Sequence, residues 1–448
     1  MGKNQSKGKF ALCGGSEMKR DKPKFKEVDN IENIRPDYSP PQTTRNDPNN
    51  LQSKFQAEVL KNIQNSHKII KSTRDSSSSK DVISLKTRDT ISRHLGSQKD
   101  SSDSLNHFTE LRIPTIRRLS SFNPQKKKLN ISDFIKLKVI GRGTFGKVIL
   151  VKCIEDNKFY ALKSIKKIQI LKTNSLHNII HEKKIFDVID SPFIIKLRQT
   201  FQDKEMVYLL FDYHNGGELF FHIQKFRRFS EEIVKFYSAE IYCALEYLHS
   251  KGIVYRDLKP ENIILDEEGH IKLIDFGLAK NMNIKAINYC STFCGTNEYI
   301  PPEVIAGDKY SFNFDWWGFG NIIYEMLYGR PPFTEKSGNK TVLFQKILTE
   351  QPNYYKCKVS PEAIDLMKCL LKKHCNERIQ PSEIPKHSFF KNIDFEKIKS
   401  RLVSPPIKPK IKNELDLRNI DTCFLNENVN SPVKKLKYDI DQSKFALF

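Results

Sequence analysis

The 448-residue sequence predicts an α+β fold in which strands come first and helices follow. Three observations predict it. From Phe134 the run Phe134-Ile135-Lys136-Leu137-Lys138-Val139-Ile140 has the apolar alternation of a strand. A glycine-rich segment, Gly141 to Gly146, separates that run from a second β-type run that starts at Lys147-Val148. Further on, Phe236-Tyr237-Ser238-Ala239-Glu240-Ile241 and Ala244-Leu245-Glu246-Tyr247-Leu248-His249 carry apolar residues at helical spacing and read as core.

The length suits two or three domains and a sizeable core. An apolar share of 38% is low for a wholly globular chain and predicts substantial disorder. We place it in residues 1–133, a basic extension, ahead of a folded domain at 134–390 and a tail at 391–448. The formal charge is +22; residues 1–133 hold 26 Lys/Arg against 15 Asp/Glu, half of that excess. Nucleic-acid binding needs basic and aromatic side chains interleaved on a fold, and here much of the charge sits in the extension, so no nucleic acid is expected. The nine Cys are scattered and odd in number, with no C-x-x-C pair, which predicts a reduced, cytoplasmic protein without a zinc site. No apolar run approaches the roughly 18 residues of a membrane span.

The extension opens Met1-Gly2-Lys3-Asn4-Gln5-Ser6, the pattern for myristoylation of Gly2. One such chain holds a membrane only marginally, so a second signal is required. Residues 1–26 supply eight Lys/Arg against two acids, and Cys13 is a candidate for palmitoylation. Partial association with a membrane surface is therefore expected. From about 21 to 128 the sequence is rich in Ser, Asn, Lys, Asp and Pro without sustained periodicity. Within it, Arg117-Arg118-Leu119-Ser120 reads either as one more basic patch or as a phosphorylation site at Ser120.

Gly141-Arg142-Gly143-Thr144-Phe145-Gly146 lies between two strands and not before a helix. That disfavours a Rossmann site and suits a strand-turn-strand flap over nucleotide phosphates, with Ile140, Gly141, Gly143, Gly146 and Val148 at the nucleotide. Ala161 and Lys163 follow on the next strand, Lys163 being the candidate for the α- and β-phosphates. Glu182, 19 residues further on in a helical stretch from His177 to Val188, is placed to pair with Lys163. Strands are predicted at Ile194 to Leu197 and Met206 to Phe211. Tyr255-Arg256-Asp257-Leu258-Lys259-Pro260-Glu261-Asn262 puts an acid, a base and an amide at spacings that suit phosphoryl transfer: Asp257 beside a hydroxyl, Lys259 beside the phosphoryl, Asn262 on a metal. Asp275-Phe276-Gly277, behind the strand Ile271-Lys272-Leu273-Ile274, adds a carboxylate for Mg²⁺.

The octet resembles the catalytic loop of eukaryotic protein kinases, with Tyr255 where most have His, and the AGC group of Ser/Thr kinases in particular. The resemblance runs from Phe134 to Phe448. It implies a bilobal fold, with a small β-rich lobe, a large helical lobe and Mg-ATP between them. It implies adenine contacts from Asp212 to His214, ribose and substrate-Arg contacts at Glu218, and further acids for basic substrates at Glu261 and Glu325. Asp315 would support the catalytic loop. Phosphorylated Thr292 would pair with Arg256 and Lys280, through an upstream kinase. Asn297 and Pro301 depart from the group's usual Pro and Ala, which bears on the pocket for the residue after the phosphoacceptor. A Glu303 to Arg378 ion pair is implied too.

In the tail, Asn419-Ile420-Asp421 with Phe424 would cross the ATP mouth, Ser431-Pro432 would be a phosphosite, and Phe445 and Phe448 would dock on the small lobe. Ending on the second Phe resembles the cyclic-AMP-dependent catalytic subunit, and the Ser-Pro site resembles the Akt-like and ribosomal-protein kinases; both stay open. The expected function is a monomeric, ATP-dependent Ser/Thr kinase acting on proteins with basic residues upstream of the target, any cyclic-nucleotide control residing in a separate regulatory subunit. A membrane-anchored pseudokinase or scaffold is the competing class.

Overall fold

The computed structural model describes residues 129–143, 146–285, 289–354, 358–430 and 440–448. The expected α+β, two-lobed architecture is present. In the small lobe, strands β1 (Phe134–Gly143), β2 (Gly146–Cys153), β3 (Phe159–Lys166), β4 (Leu197–Gln202) and β5 (Met206–Asp212) form one antiparallel sheet in the order β1-β2-β3-β5-β4. Strand β1 starts behind a turn, Ile131–Asp133, capped by Asn130, and the Asp133 carbonyl accepts from Ile154 N, so this turn packs with the sheet ahead of Phe134.

One strand differs from expectation. The stretch Ile194 to Leu197 is not a strand of this sheet; β4 begins at Leu197. Ile194 instead makes an isolated parallel bridge to Leu273, and Ile195 N donates to the Leu273 carbonyl, so these apolar residues join the two lobes. The predicted helix at 177–188 is α2 (Leu176–Phe186), preceded by the short α1 (Lys167–Lys172). Helix α2 buries Ile179, Glu182 and Ile185 on one side, as residues three to four apart do.

The large lobe contains α3 (Leu219–Phe226), α4 (Glu231–Ser250), the short pairs β6 (Ile253–Val254) with β9 (Lys280–Asn281) and β7 (Ile263–Leu265) with β8 (Ile271–Leu273), then α5 (Pro302–Ala306), α6 (Asn313–Tyr328), α7 (Lys340–Thr349) and α8 (Pro361–Leu370). Helix α6 is apolar almost all round and lies in the centre, with Trp316, Trp317, Phe319 and Tyr324 buried. Strands β6 and β7 bracket the loop 255–262, and β8 leads into Asp275. The Arg378 guanidinium clamps Glu303 bidentately at 2.7 and 2.6 Å inside this core.

The tail returns to the small lobe. Asn215 and Asn419 exchange amide-to-carbonyl hydrogen bonds with tail and linker backbone. Glu427 pairs with Arg142 and Lys147, one at each end of the glycine-rich turn, at 2.7 and 2.9 Å. Phe445 and Phe448 are buried against Ile165, Ile170, Ile179 and Phe211. No helix among the described residues is long and apolar enough to cross a membrane.

Candidate active site

The site lies where the sheet faces the loops around β7 and β8. Lys163 sits on β3, cross-strand from Val148 and Leu209, which aims its amine away from solvent. Its Nζ is 2.7 Å from Glu182 Oε1 and 3.1 Å from Asp275 Oδ1. Burial disfavours the Lys163 charge, yet the Asp275 and Glu182 carboxylates overcome it and raise its pKa. Burial likewise works on Asp275, but the Lys163 charge holds that carboxyl below its ordinary range. Glu182 moves the other way, raised chiefly by its own burial. A Cβ at Gly143 would lie 3.2 Å from Lys163 Cε and 3.9 Å from Asp275 Oδ2, so the glycine-rich turn covers this ion triad. Gly146 is obligatory: its Cβ would lie 2.1 Å from the Ser164 carbonyl oxygen.

Arg256 and Asp275 both adopt left-handed backbone, with φ of 68° and 53°, strain of the kind held at functional positions. Asp315, fully buried at the start of α6, compensates at the first. Its carboxylate accepts from Tyr255 N, Arg256 N and His249 Nε2, each at 2.8 Å. The loop so fixed presents Asp257. Asn262 Nδ2 donates to Asp257 Oδ2 at 2.7 Å, and Lys259 Nζ lies 3.0 Å from the same oxygen. The remaining oxygen, Oδ1, accepts from Thr296 Oγ1 at 3.1 Å, and Thr296 Oγ1 accepts from Lys259 Nζ at 2.8 Å. Thr296 was missed by sequence reasoning, for it stands 39 residues from the acid it holds.

The residues fit a divalent cation. Asp275 Oδ1 is occupied by Lys163 and by Gly277 N–H, while Oδ2 faces the glycine turn. Asn262 spends its NH₂ on Asp257, which turns its amide oxygen to the other side. A carboxylate and an amide oxygen are hard donors of the type Mg²⁺ takes. By contrast Asp365, Cys369 and His387, which also gather in the large lobe, read as a hydrogen-bonded group: Phe389 N donates to His387 Nδ1, so Nε2 keeps its proton and donates to Asp365.

At the adenine side Asp212 has its carboxylate clamped by Arg198 at 2.5 and 2.7 Å, and His214 faces Glu267 at 3.2 Å. Their side chains are thus engaged, leaving backbone for a base. Ile140, Val148 and Ala161 are partly buried on the strands around the glycine turn. Glu218, at the start of α3, feels the charge of Glu261 in the catalytic loop. Burial, Glu261 and Asp421 push the Glu218 carboxyl up to about 7. Burial also raises Glu261, whose Oε2 is buried without a partner. Glu325 is pushed up to about 8 by burial, while accepting a hydrogen bond from Tyr299 OH.

Thr292 is exposed, and its carbonyl accepts from Tyr310 OH at 2.6 Å. Arg256 reaches the same hydroxyl at 3.0 Å and Leu278 O at 2.7 Å. Lys280 lies on β9, paired with Val254. Its charge and that of Arg256 both reach His181 on α2, whose pKa burial chiefly lowers; the sequence did not suggest this residue. Gly2, Cys13, Ser120 and Ser431 lie outside the described residues.

A lysine paired to a helix glutamate, an aspartate behind a strand and an acid-amide-lysine loop define a phosphotransferase site. The protein kinase domain family matches residues 134–390. The chain is 40% identical over 306 residues to the RAC family serine/threonine-protein kinase homolog of Dictyostelium discoideum, covering 68% of each. It is 43% identical over 318 residues to the serine/threonine-protein kinase Sgk1 of Fundulus heteroclitus, 70% of this chain and 72% of the relative. The match to human protein kinase C delta type is 40% over 325 residues but spans only 48% of that protein. The chain belongs to the protein kinase family. Its relatives there are Ser/Thr kinases of the AGC type, and it is accordingly a protein Ser/Thr kinase that uses ATP.

Proposed function

We propose that this kinase selects Ser or Thr preceded by arginine or lysine, and that it works with Mg²⁺. The observation that carries the first part is the acidic group Glu218, Glu261 and Glu325. The two carboxyls pushed up to about 7 and about 8, and the unpartnered Glu261 Oε2, are groups in no ion pair among the described residues. A guanidinium supplies charge and paired N–H donors together.

In the reaction the substrate hydroxyl oxygen attacks the γ-phosphorus of ATP, the bond to the bridging oxygen breaks, and ADP leaves. Asp257, oriented by Asn262 and Thr296, receives the hydroxyl proton. Lys163 holds the α- and β-phosphates and Lys259 meets the charge on the transferred group. Bound Mg²⁺ would neutralise phosphate charge, held by Asp275 Oδ2 and the Asn262 amide oxygen. The test is Mg-ATP-dependent transfer to a peptide with Arg two residues before Ser, against the same peptide with Gln there and against Asp257→Asn. We expect faster transfer to the Arg peptide than to the Gln peptide, and loss of both in the variant; equal use of both peptides would overturn the specificity.

Regulation is proposed at three places. Thr292, exposed beside Arg256, takes a phosphate from an upstream kinase. Ser431, which precedes Pro432 in the tail, takes a second phosphate. Acyl groups on Gly2 and Cys13, with the basic residues 1–26, would hold the protein on anionic membranes. Labelling with an alkyne fatty acid, lost in Gly2→Ala, checks the last.

A further inference from the structure

Two helices end against each other on the large lobe. Helix α3 stops at Arg227, with φ 63°, and α6 stops at Gly329, with φ 75°. A Cβ at Gly329 would lie 2.0 Å from the Arg227 carbonyl oxygen, and Phe229 N donates to Met326 O at 2.8 Å, so the corners are in contact. The contact sets Arg227 and Arg228 beside Arg330. All three are exposed, as is Lys225, whose amine stands 5.7 Å over the Phe221 ring. Among the described residues none of the four makes an ion pair with a carboxylate. Phe226, 49% exposed, stands among them. Arg227 is a further anomaly: a helix C-cap in positive φ is ordinarily glycine, and a residue with a Cβ there is strained by roughly 1 kcal/mol.

The corner is tied to the substrate acids. Glu218 opens α3, and the Glu325 carbonyl accepts the Gly329 N–H at 2.8 Å, one helical turn before Arg330. Along α3 the charge therefore changes from acidic at Glu218 to basic at its far end, about 12 Å away at 1.5 Å per residue. Resting on the proposed preference for upstream arginine, we propose that Lys225, Arg227, Arg228 and Arg330, with Phe226 at their centre, bind an acidic segment of the protein substrate lying further upstream of its basic residues. Carboxylates meet the unpaired guanidinium groups bidentately, and an apolar residue among them covers Phe226. The kinase would then select a charge pattern, acidic then basic then Ser or Thr. A purely basic tract would be repelled from this corner.

Two peptides with one arginine-containing core test this, one extended upstream by Asp, Glu and Phe, the other by Gln and Ala. The acidic extension is expected to lower KM about fivefold to tenfold at low salt with kcat unchanged, the gain shrinking at 0.5 M salt. Arg227→Gly with Arg228→Gln and Arg330→Gln should abolish the difference while leaving the unextended core peptide unaffected. Fluorescence anisotropy of the acidic extension alone, without the arginine core, reads the corner even if the core preference fails: saturable binding lost in the triple variant supports the proposal. Equal KM for both peptides, or equal anisotropy in wild type and variant, overturns it. So does a variant that changes only the melting temperature, which would mean that the cations merely offset the helix C-terminal dipoles.

Discussion

Thr296 shows how one side chain can govern a reaction without taking part in it. Its hydroxyl lies between Lys259 and Asp257 and so fixes the acid's Oδ1 while Asn262 fixes Oδ2. Thr296→Ala frees one oxygen to rotate. We expect kcat to fall about 10- to 100-fold with little change in KM for ATP, and Thr296→Ser to restore most of it; steady-state kinetics on a peptide decides. A second prediction concerns Glu218 and Glu325, raised to about 7 and about 8. They are carboxylates above those values and neutral below. kcat/KM for an arginine peptide should therefore drop as pH falls from 8.5 to 6.5, while that for a glutamine peptide stays flatter; parallel profiles would remove the acids from recognition. Asp257, Lys259 and Asn262 could be read from the sequence because they lie within six residues and their order is itself the chemistry. Thr296 and His181 could not, because only the folded activation segment and α2 bring them to the loop.

At the level of elements, α2 has few supports of its own: its N-cap residue, Ser175, makes no side-chain capping bond and no acid stands in its first turn. Its stability comes from what covers it. Phe445 and Phe448 pack with Ile170 and Ile179, Lys167 lies 4.8 Å from the Phe445 ring, and Gln202 Nε2 donates to Phe445 O at 2.7 Å. Lys167 is fully buried and takes acceptors from Gln202, Asp203 and Gln442 in place of a carboxylate. Phe445→Ala removes a ring that is entirely buried, a change of about 3–5 kcal/mol if the groove stays closed and less if the tail simply leaves it. Lower activity, a lower melting temperature and faster amide exchange across α2 are expected, with Phe448→Ala smaller in each. Unchanged exchange in α2 would show that the tail does not brace it. Docking of these two Phe was legible because apolar residues at the end of a polar tail have no core of their own. The true start of β4 was not, since Ile194 and Ile195 are as apolar as any strand and only their bonds to Leu273 reveal that they belong to the join between lobes.

Across the whole molecule the two lobes meet through charges as much as through packing. Glu182 on α2 must reach Lys163, and α2 also carries His181, whose Nε2 accepts from Asn281 N at 3.3 Å on β9. Burial lowers the pKa of His181 first of all, and His177, Arg256 and Lys280 lower it further. The unphosphorylated protein therefore holds like charges across this boundary: Arg256 from the catalytic loop, Lys280 from β9 and, when protonated, His181 from the small lobe. A phosphate on Thr292 would bring nearly two negative charges to that group. The sign then reverses, because a neighbouring anion favours imidazolium. On phosphorylation at Thr292 the His181 pKa should rise, and α2 should gain protection from amide exchange, more at pH 6 than at pH 8, since the added attraction requires the protonated ring and exceeds the loss of the bond that neutral Nε2 accepts from Asn281 N. His181→Gln should keep unphosphorylated activity and lose part of the activation and all of its pH dependence. Histidine NMR titrations and exchange on protein with and without phosphate at Thr292 make the comparison. A His181 pKa that stays put while activity rises would mean that Arg256 and Lys280 order the segment by themselves and that α2 is set by the tail.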